Sequence, residues 1–439
     1  MSIAALRQGK LLARSEDRRV TLAIAKRHAF TLLAVLAILA AVGASTARAQ
    51  CAAPACPAAT CSVNAATGTD GSGCCTAIGG CKTIQGGIND ATAGDVIGVA
   101  AGTYPETGGP LTINKTLTLC GAQNGVDART RVGAESIITD SQGTQVSASN
   151  VVVNGFTIEQ STNNAFTGYG LWMNPGTSGT LVLNNIVQNN IVGIGLGGSQ
   201  VLICQNLIQN NNQPGSASGS GIYTDEFVGG AAETNILVEQ NTFKGNDDAG
   251  IDISNTDFAN GVSNLDVSTN SFDMNGRGLV LFNTHMSTIH NNSITNSTTV
   301  GSAAVRIFDN NSNLTILFND IDTGAGHGIR LSDGGADPNN PKPSSGVVIN
   351  DNNIVNFASG DGLLVSPASH VGTVNAECNW WGAADGPSGD GPGSGSAVVG
   401  DADFTPWLVA ASPAPVTGPV DCSGGVTTKC SRHANGRAA

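Results

Sequence analysis

The sequence predicts an all-β fold, a solenoid of short parallel strands in which each coil stacks on the next. Three observations predict it. First, nine times between Asn154 and Trp381 an apolar strand runs into Asn-x-(Ile/Phe/Val/Trp) and then into polar turn residues. The repeated asparagines are Asn154, Asn185, Asn206, Asn241, Asn270, Asn292, Asn319, Asn352 and Asn379, at intervals of 21 to 35 residues. Two positions on stand Phe156, Val187, Ile208, Phe243, Phe272, Ile294, Ile321, Ile354 and Trp381. Second, most copies continue into another short apolar strand, as in Gly193-Ile-Gly-Leu196, Gly250-Ile-Asp-Ile253, Gly278-Leu-Val-Leu281, Gly328-Ile-Arg-Leu331 and Gly362-Leu-Leu-Val365. Third, no ten-residue helical stretch separates these runs, which argues against βαβ units. A unit this small cannot bury its apolar face alone and must pack against copies of itself.

Within a unit the pattern alternates with period two. In Leu314-Thr-Ile316-Leu-Phe318 and Leu265-Asp-Val267-Ser-Thr269 every second residue points inward. Antiparallel hairpins do not explain why one residue type recurs at the same point of every unit. Parallel coils do, because they place equivalent residues above one another at about 4.8 Å. At a sharp corner an asparagine amide offers both donors and an acceptor. Stacked at strand spacing, each can bond the asparagines above and below and satisfy polar groups that the corner buries. Asparagine also tolerates the left-handed conformation that such a bend often needs.

On these residues the chain resembles the right-handed parallel β-helix of the pectin-lyase-like superfamily, closest to the parallel β-helix repeats of carbohydrate-binding proteins and sugar hydrolases. Lys82-Thr-Ile-Gln-Gly-Gly-Ile-Asn, followed by Gly94-Asp-Val-Ile-Gly-Val-Ala-Ala-Gly-Thr-Tyr-Pro105, resembles the N-terminal cap helix and first coil. Cys378-Asn-Trp-Trp-Gly382, with Ala402-Asp-Phe-Thr-Pro-Trp-Leu408, resembles the end of many secreted bacterial β-helix proteins. The resemblance covers residues 82–408 and implies a single-stranded right-handed parallel β-helix with a short N-terminal cap helix. It implies a polysaccharide partner and leaves activity open, because fold does not fix function.

In chain order, residues 1–49 read as a signal peptide. Arg18, Arg19, Lys26, Arg27 and His28 precede an apolar run, 29–42, that leads to Ala47-Arg-Ala49. That run is too short for an ordinary membrane anchor. Residues 50–81 form a Cys-rich segment in which Cys51, Cys56, Cys61, Cys74, Cys75 and Cys81 crowd a stretch with little core-forming capacity. Disulfides, with connectivity left open, are the expected staples. Residues 82–378 are the β-helix. Ile84, Ile88 and Ala91 fall on one side of a short helix that covers the first coil, although Gly86 and Gly87 weaken it. Residues 379–408 close the other end with Trp380, Trp381, Phe404 and Trp407, in a chain with only 4% aromatic residues. Residues 409–439 read as a flexible tail that Cys422 and Cys430 could close. The 11 cysteines leave an odd thiol, for which Cys204 and Cys378 are the candidates.

Charge narrows the partners. The chain carries net −13, and without residues 1–49 it keeps 12 basic and 31 acidic residues, net −19. That acidity argues against nucleic acid and anionic membranes. No later apolar run spans a membrane, so a secreted protein, extracellular or periplasmic, is expected. No cofactor motif is present. His285, His290 and His327 are isolated in sequence, and the Asp/Gly turns near Asp333 and Asp385 do not match calcium repeats, so no metal is predicted.

Aligning the second strands predicts one outward row: Trp172, Gly195, Tyr223, Asp252, Val280, Arg306, Arg330 and Leu364. Two positions beyond lie Asn174, Asp225, Ser254, Phe282, Phe308 and Ser332. Rings stack on sugar faces, while carboxylates and guanidinium groups bond hydroxyls or uronates. Trp172, Tyr223, Asp252, Arg306 and Arg330 are therefore the expected substrate-binding residues of an exposed face. The plainer alternative is a solvated face with Arg306/Asp309 and Arg330/Asp333 ion pairs, each worth little. Asp225 and Asp252, diagonal neighbours about 7–8 Å apart, form a candidate catalytic pair at the carboxyl separation of inverting glycosidases. Fragments that resemble polygalacturonase motifs, Asp247-Asp248, Asn255-Thr-Asp257 and Gly326-His-Gly328, come in the wrong order. Three coil rises, about 14 Å, separate His327 from the aspartates and exclude a shared reaction centre. The expected function is binding, with cleavage as an added activity, of an extracellular polysaccharide. The alternative is a non-catalytic surface or matrix scaffold.

Overall fold

The computed structural model describes residues 51, 55–163, 168–230, 232–332, 342–357, 359–412 and 422. The expected signal peptide and most of the tail lie outside them. The chain divides into two compact units, residues 1–52 with 438–439 and residues 53–437, and every coil lies in the second. Three parallel sheets of 13, 10 and 12 strands, here sheets 1, 2 and 3 in the order a coil visits them, run along the solenoid. One coil shows the plan: Leu202–Cys204 in sheet 1, Leu207–Gln209 in sheet 2, Ser220–Thr224 in sheet 3. Ile203, Ile208 and Ile222 point from the three sheets into one continuous core. Phe243 and Phe272 stack there on successive coils, ring centroids 4.6 Å apart.

The corner between sheets 1 and 2 carries the asparagine ladder. The ladder starts at Asn185, and from Asn206 through Asn241, Asn270, Asn292, Asn319 and Asn352 to Asn379 each Oδ1 accepts both the backbone N–H and the Nδ2 of the asparagine one coil earlier. Asn154 is not a rung. Strand register pairs it with Leu183, and pairs Ile158 with Val187, so Phe156 occupies the ladder position. The Phe156 N–H donates to Asn185 Oδ1 at 3.0 Å, and Asn154 Oδ1 instead accepts from Asn184 Nδ2 at 2.9 Å. The left-handed residue is also not the rung but its predecessor: Asn184, Gln205, Gln240, Thr269, Asn291, Phe318, Asp351 and Cys378 all have φ between 52° and 60°. For β-branched Thr269 and bulky Phe318 this conformation is unfavourable, and the ladder holds it.

A second ladder, not anticipated from the sequence, turns the corner after sheet 2. Asn190, Asn211, Asn246 and Asn275 repeat the same bonding, with Nδ2 to Oδ1 distances of 2.8–3.0 Å. Each stands five residues after a first-ladder asparagine, a spacing that is visible in the sequence.

At both ends buried side chains cover the core, with chemistry the sequence did not specify. The helix Ile84–Asp90 buries Ile84 and Ile88, and Thr83 caps it by accepting from the Gly86 N–H. Its glycines are required by close approach: a Cβ on Gly87 would sit 2.7 Å from Val63, and one on Gly86 2.1 Å from Asp70. Gln85 reaches over the first strand of sheet 3, accepting from the Thr112 N–H at 2.8 Å and donating to its carbonyl at 3.4 Å. It thus stands in for a missing neighbouring strand. Lys115 Nζ donates to the carbonyls of Ile88, Asn89 and Ala91 at the helix C-terminus.

The Cys-rich segment joins the solenoid, because Cys61–Val63 pairs in register with the strand Val96–Val99. Cys61–Cys75 and Cys74–Cys81 staple it internally, and Cys56–Cys120 ties it to sheet 1. At the far end Trp381 is fully buried and Trp407 nearly so. Two cysteine expectations are corrected. Cys378 pairs with Cys422, and Cys204 is also disulfide-bonded, so neither is the odd thiol. Cys430 lies outside the described residues.

Replacing Asn270 with alanine removes the acceptor of two bonds from Asn241 and the donor of bonds to Asn292 Oδ1 and the Val238 carbonyl. The expected cost is about 1–3 kcal/mol. Ser268 is buried, whereas Ser271 is exposed and serves as the control. Chemical denaturation of Asn270→Ala beside Ser271→Ala tests the ladder, and equal midpoints would remove it as a source of stability.

Candidate functional site

Strand pairing in sheet 3 places Gln145, Trp172, Gly195, Tyr223, Asp252, Val280, Arg306, Arg330 and Leu364 opposite one another on successive strands. The five expected binding residues therefore share one row on the outer side of the sheet. The row is not the open face that alternation suggested. Trp172, Tyr223, Arg306 and Arg330 are half-buried, while Asp252 and Val280 are 5% and 1% exposed. Turns and neighbouring side chains fold against the row and make it the floor of the site.

The first part of the floor is aromatic. Tyr169 and Trp172 pack with ring centroids 5.8 Å apart. Gly195 leaves them room, since a Cβ there would lie 2.8 Å from Trp172 and 2.9 Å from Tyr169. The Trp172 indole N–H donates to the Val228 carbonyl at 3.4 Å, beneath the turn that follows the Tyr223 strand. Asp225 holds that turn. Its Oδ1 accepts the N–H groups of Phe227 and Val228 at 2.9 and 2.7 Å, and its Oδ2 accepts the Tyr223 hydroxyl at 2.8 Å. Burial first, and then the Asp225 charge, push the Tyr169 and Tyr223 phenols above their ordinary range. Both remain protonated phenols.

The carboxyl neighbour of Asp252 is Asp248. Burial raises the Asp252 pKa, the Ser254 hydroxyl bonded to its Oδ1 opposes the shift, and the adjacent Asp248 carboxyl, itself hydrogen-bonded to Asp252, raises it further. Asp248 is paired with Arg277 on the next coil. The geometry thus joins Asp252 to Asp248 and leaves Asp225 engaged by its turn. Beyond Asp252 the floor is apolar: Val280 lies in the row, and beside it Phe258, Phe282 and Phe308 follow at centroid spacings of 5.9 and 6.1 Å.

The last part is cationic. Arg306 lies over the Phe308 ring, 4.6 Å from its centroid. Burial, then the charges of Arg330 and Arg277, lower its pKa to about 10. Arg330 Nη1 donates to the Gly301 carbonyl at 3.0 Å. Its Nε is buried with no hydrogen-bond partner among the described residues. Asp333, the expected partner of Arg330, lies outside those residues. His327 Nδ1 accepts the Asp361 N–H at 2.9 Å and lies 3.1 Å from the Asp361 carboxylate. Register steps from Ala249 through Arg277 and Ala303 to His327 give the three coils that separate it from the Asp248 region.

Sequence reasoning missed Tyr169, Arg277 and Glu233, and it noted Asp248 without linking it to the row. Tyr169, Asp248 and Arg277 sit at or just before the start of aligned strands, so extending the alignment upstream would have placed them. Glu233 had no such signal: it opens the strand Glu233–Glu239 and is 1% exposed, with Oε1 accepting the Thr224 hydroxyl at 2.9 Å. Burial pushes it up to about 7 from an ordinary 4.5. A carboxyl whose folded pKa is raised stabilises the fold fully below its unfolded pKa, and that contribution is lost as pH rises through the folded value. Between about pH 4.5 and 7 the protein should therefore lose on the order of 3 kcal/mol on this account. Thermal melts across that window should flatten in Glu233→Gln. An unchanged pH profile would show that Glu233 does not carry the dependence.

The family model described as the right handed beta helix region matches residues 115–272 and 262–382. No curated protein sequence matches the chain. Among solved structures, ORF18 of Geobacillus virus E2 is similar at 15% identity and TM-score 0.51, over 72% of this chain and 59% of that one. The A-module of Azotobacter vinelandii mannuronan C-5 epimerase AlgE6 is similar at 15% identity and TM-score 0.42, over 74% and 93%. Pectate lyase Pel9A is similar at 14% identity and TM-score 0.42, over 80% of each chain. Likeness at these identities concerns the fold alone.

Proposed function

The chain belongs to the right-handed β-helix family, and from that premise we propose that it binds an extended polysaccharide along the outer side of sheet 3, outside the cell. One observation carries the reading. Trp172, Tyr223, Asp252, Arg306 and Arg330 stand in a single register row, so groups that stack on sugars and groups that bond hydroxyls or carboxylates follow one line. From Trp172 to Arg330 the row takes six rises, about 29 Å at ~4.8 Å each, a length that suits a chain of several sugars.

An extracellular setting fits the disulfides at both ends of the solenoid and the signal-like residues 1–49. No helix among the described residues is long and apolar enough to cross a membrane. For cleavage, Asp252 supplies a carboxyl that burial favours in its protonated form, the state a general acid needs. Asp225 would then activate water only after giving up its turn contacts. Those contacts favour the second reading, a binding scaffold without catalysis. Product analysis with Asp252→Asn and Asp225→Asn separates the two: cleavage lost in both variants supports the acid–base pair, and absence of cleavage in the unaltered protein removes it.

Affinity should grow with oligosaccharide length across the row, and Tyr223→Ala should weaken long chains by roughly five- to tenfold through lost stacking, on the order of 1 kcal/mol. Calorimetric titration of a length series tests this. Length-independent binding, or no loss in Tyr223→Ala, would move the site off sheet 3.

A further inference from the structure

Resting on that reading, we infer that the preferred ligand is a sparsely charged polysaccharide. Neutral sugars would lie over Trp172, Tyr223 and Asp252, with an isolated carboxylate or sulfate at Arg306 and Arg330. The argument is the partition of charge along one row. At its aromatic end stand Asp225, Asp248 and Asp252, with Glu226 and Asp247 close by in sequence, and Arg277 is already paired with Asp248. A polymer with an acidic group on every sugar would hold like charges against the Asp225 and Asp248 carboxyls in a half-buried floor, where water screens them poorly.

At the other end the problem reverses. Arg306 and Arg330 are direct neighbours in register on adjacent strands, and the Arg330 charge helps to lower the Arg306 pKa. Phe308 supports the face of one, and the other keeps a buried Nε–H without an acceptor among the described residues. A wholly neutral ligand brings no counter-charge to this pair of like charges. One anionic group bridging both would relieve their repulsion and supply the missing acceptor, and a planar or tetrahedral oxyanion suits the guanidinium fork. Between the two ends Val280 contributes no charge. Asp252 and Arg306 are two rises apart, about 10 Å, so a single anion on a neutral backbone can reach the arginines without approaching the carboxyls. The net charge of −13 on the whole chain penalises long polyanions further.

The test uses the full chain and three oligosaccharides of equal length: a neutral glucan, a homopolyuronate, and a neutral xylan backbone bearing one glucuronate, with its singly sulfated counterpart as a fourth arm. Calorimetry at low and moderate salt should rank a singly charged chain tightest, by roughly tenfold over the neutral and fully charged ones. The glucuronate and sulfate arms identify which anion is preferred. Arg306→Gln should abolish that margin, Arg306→Lys should restore part of it, and Asp248→Asn/Asp252→Asn should improve homopolyuronate binding. Thermal melts establish that each variant is folded. Homopolyuronate binding equal to or tighter than the singly charged chains, or an unchanged margin in folded Arg306→Gln, would overturn the inference while leaving polysaccharide binding intact. Failure of all four ligands would overturn the binding reading itself, and this inference with it.

Discussion

The fold depends on one constraint: each coil must lie in register on the coil before it. Main-chain pairing between parallel strands supplies most of the contact, but pairing alone does not say where a strand should end. The corner asparagines do. A rung satisfies the backbone and side chain of its predecessor with one oxygen, and its own amide reaches the carbonyl of a strand in the preceding coil, as Asn270 does to Val238. A one-residue slip would break these bonds and turn the core face outward. Insertions can therefore vary the loops while the corners, and the sheets between them, remain aligned.

That register also accounts for the site. Residues separated by 23 to 34 positions in sequence, such as Trp172 and Gly195 or Arg330 and Leu364, become lateral neighbours. A chemically graded strip, aromatic then carboxylic, apolar and finally cationic, is assembled from one position per coil. The gradient belongs to the stacking order, and no single loop contains it.

Much of this was legible in the sequence, and the exceptions have physical causes. Period-two alternation and the Gly-flanked strands were enough to align sheet 3, so the row from Trp172 to Leu364 could be written from residues alone. Asn154 misled because its neighbour Phe156 also fits the two-on position; the shift shows only when Ile158 is seen pairing with Val187. Burial of Asp252 depends on turns and neighbouring side chains closing over the strand, which alternation does not encode. The partners of Asp225, and of Cys204 and Cys378, depend on how loops fold back in three dimensions. The second ladder was visible as a five-residue offset, but variable insertions after it obscured its role.

The covalent ties at the two ends bear on how long the molecule lasts. A stack of repeats with only nearest-neighbour contacts ordinarily frays from its termini, where a unit has one neighbour instead of two. Here Cys56–Cys120 binds the N-terminal segment to sheet 1, and Cys378–Cys422 clamps the chain after the last asparagine coils. Terminal opening is thus limited, and a protease must wait for rarer excursions in the interior of the stack. Such a molecule owes its persistence to slow opening as much as to equilibrium stability, a property suited to surroundings where nothing repairs or refolds it.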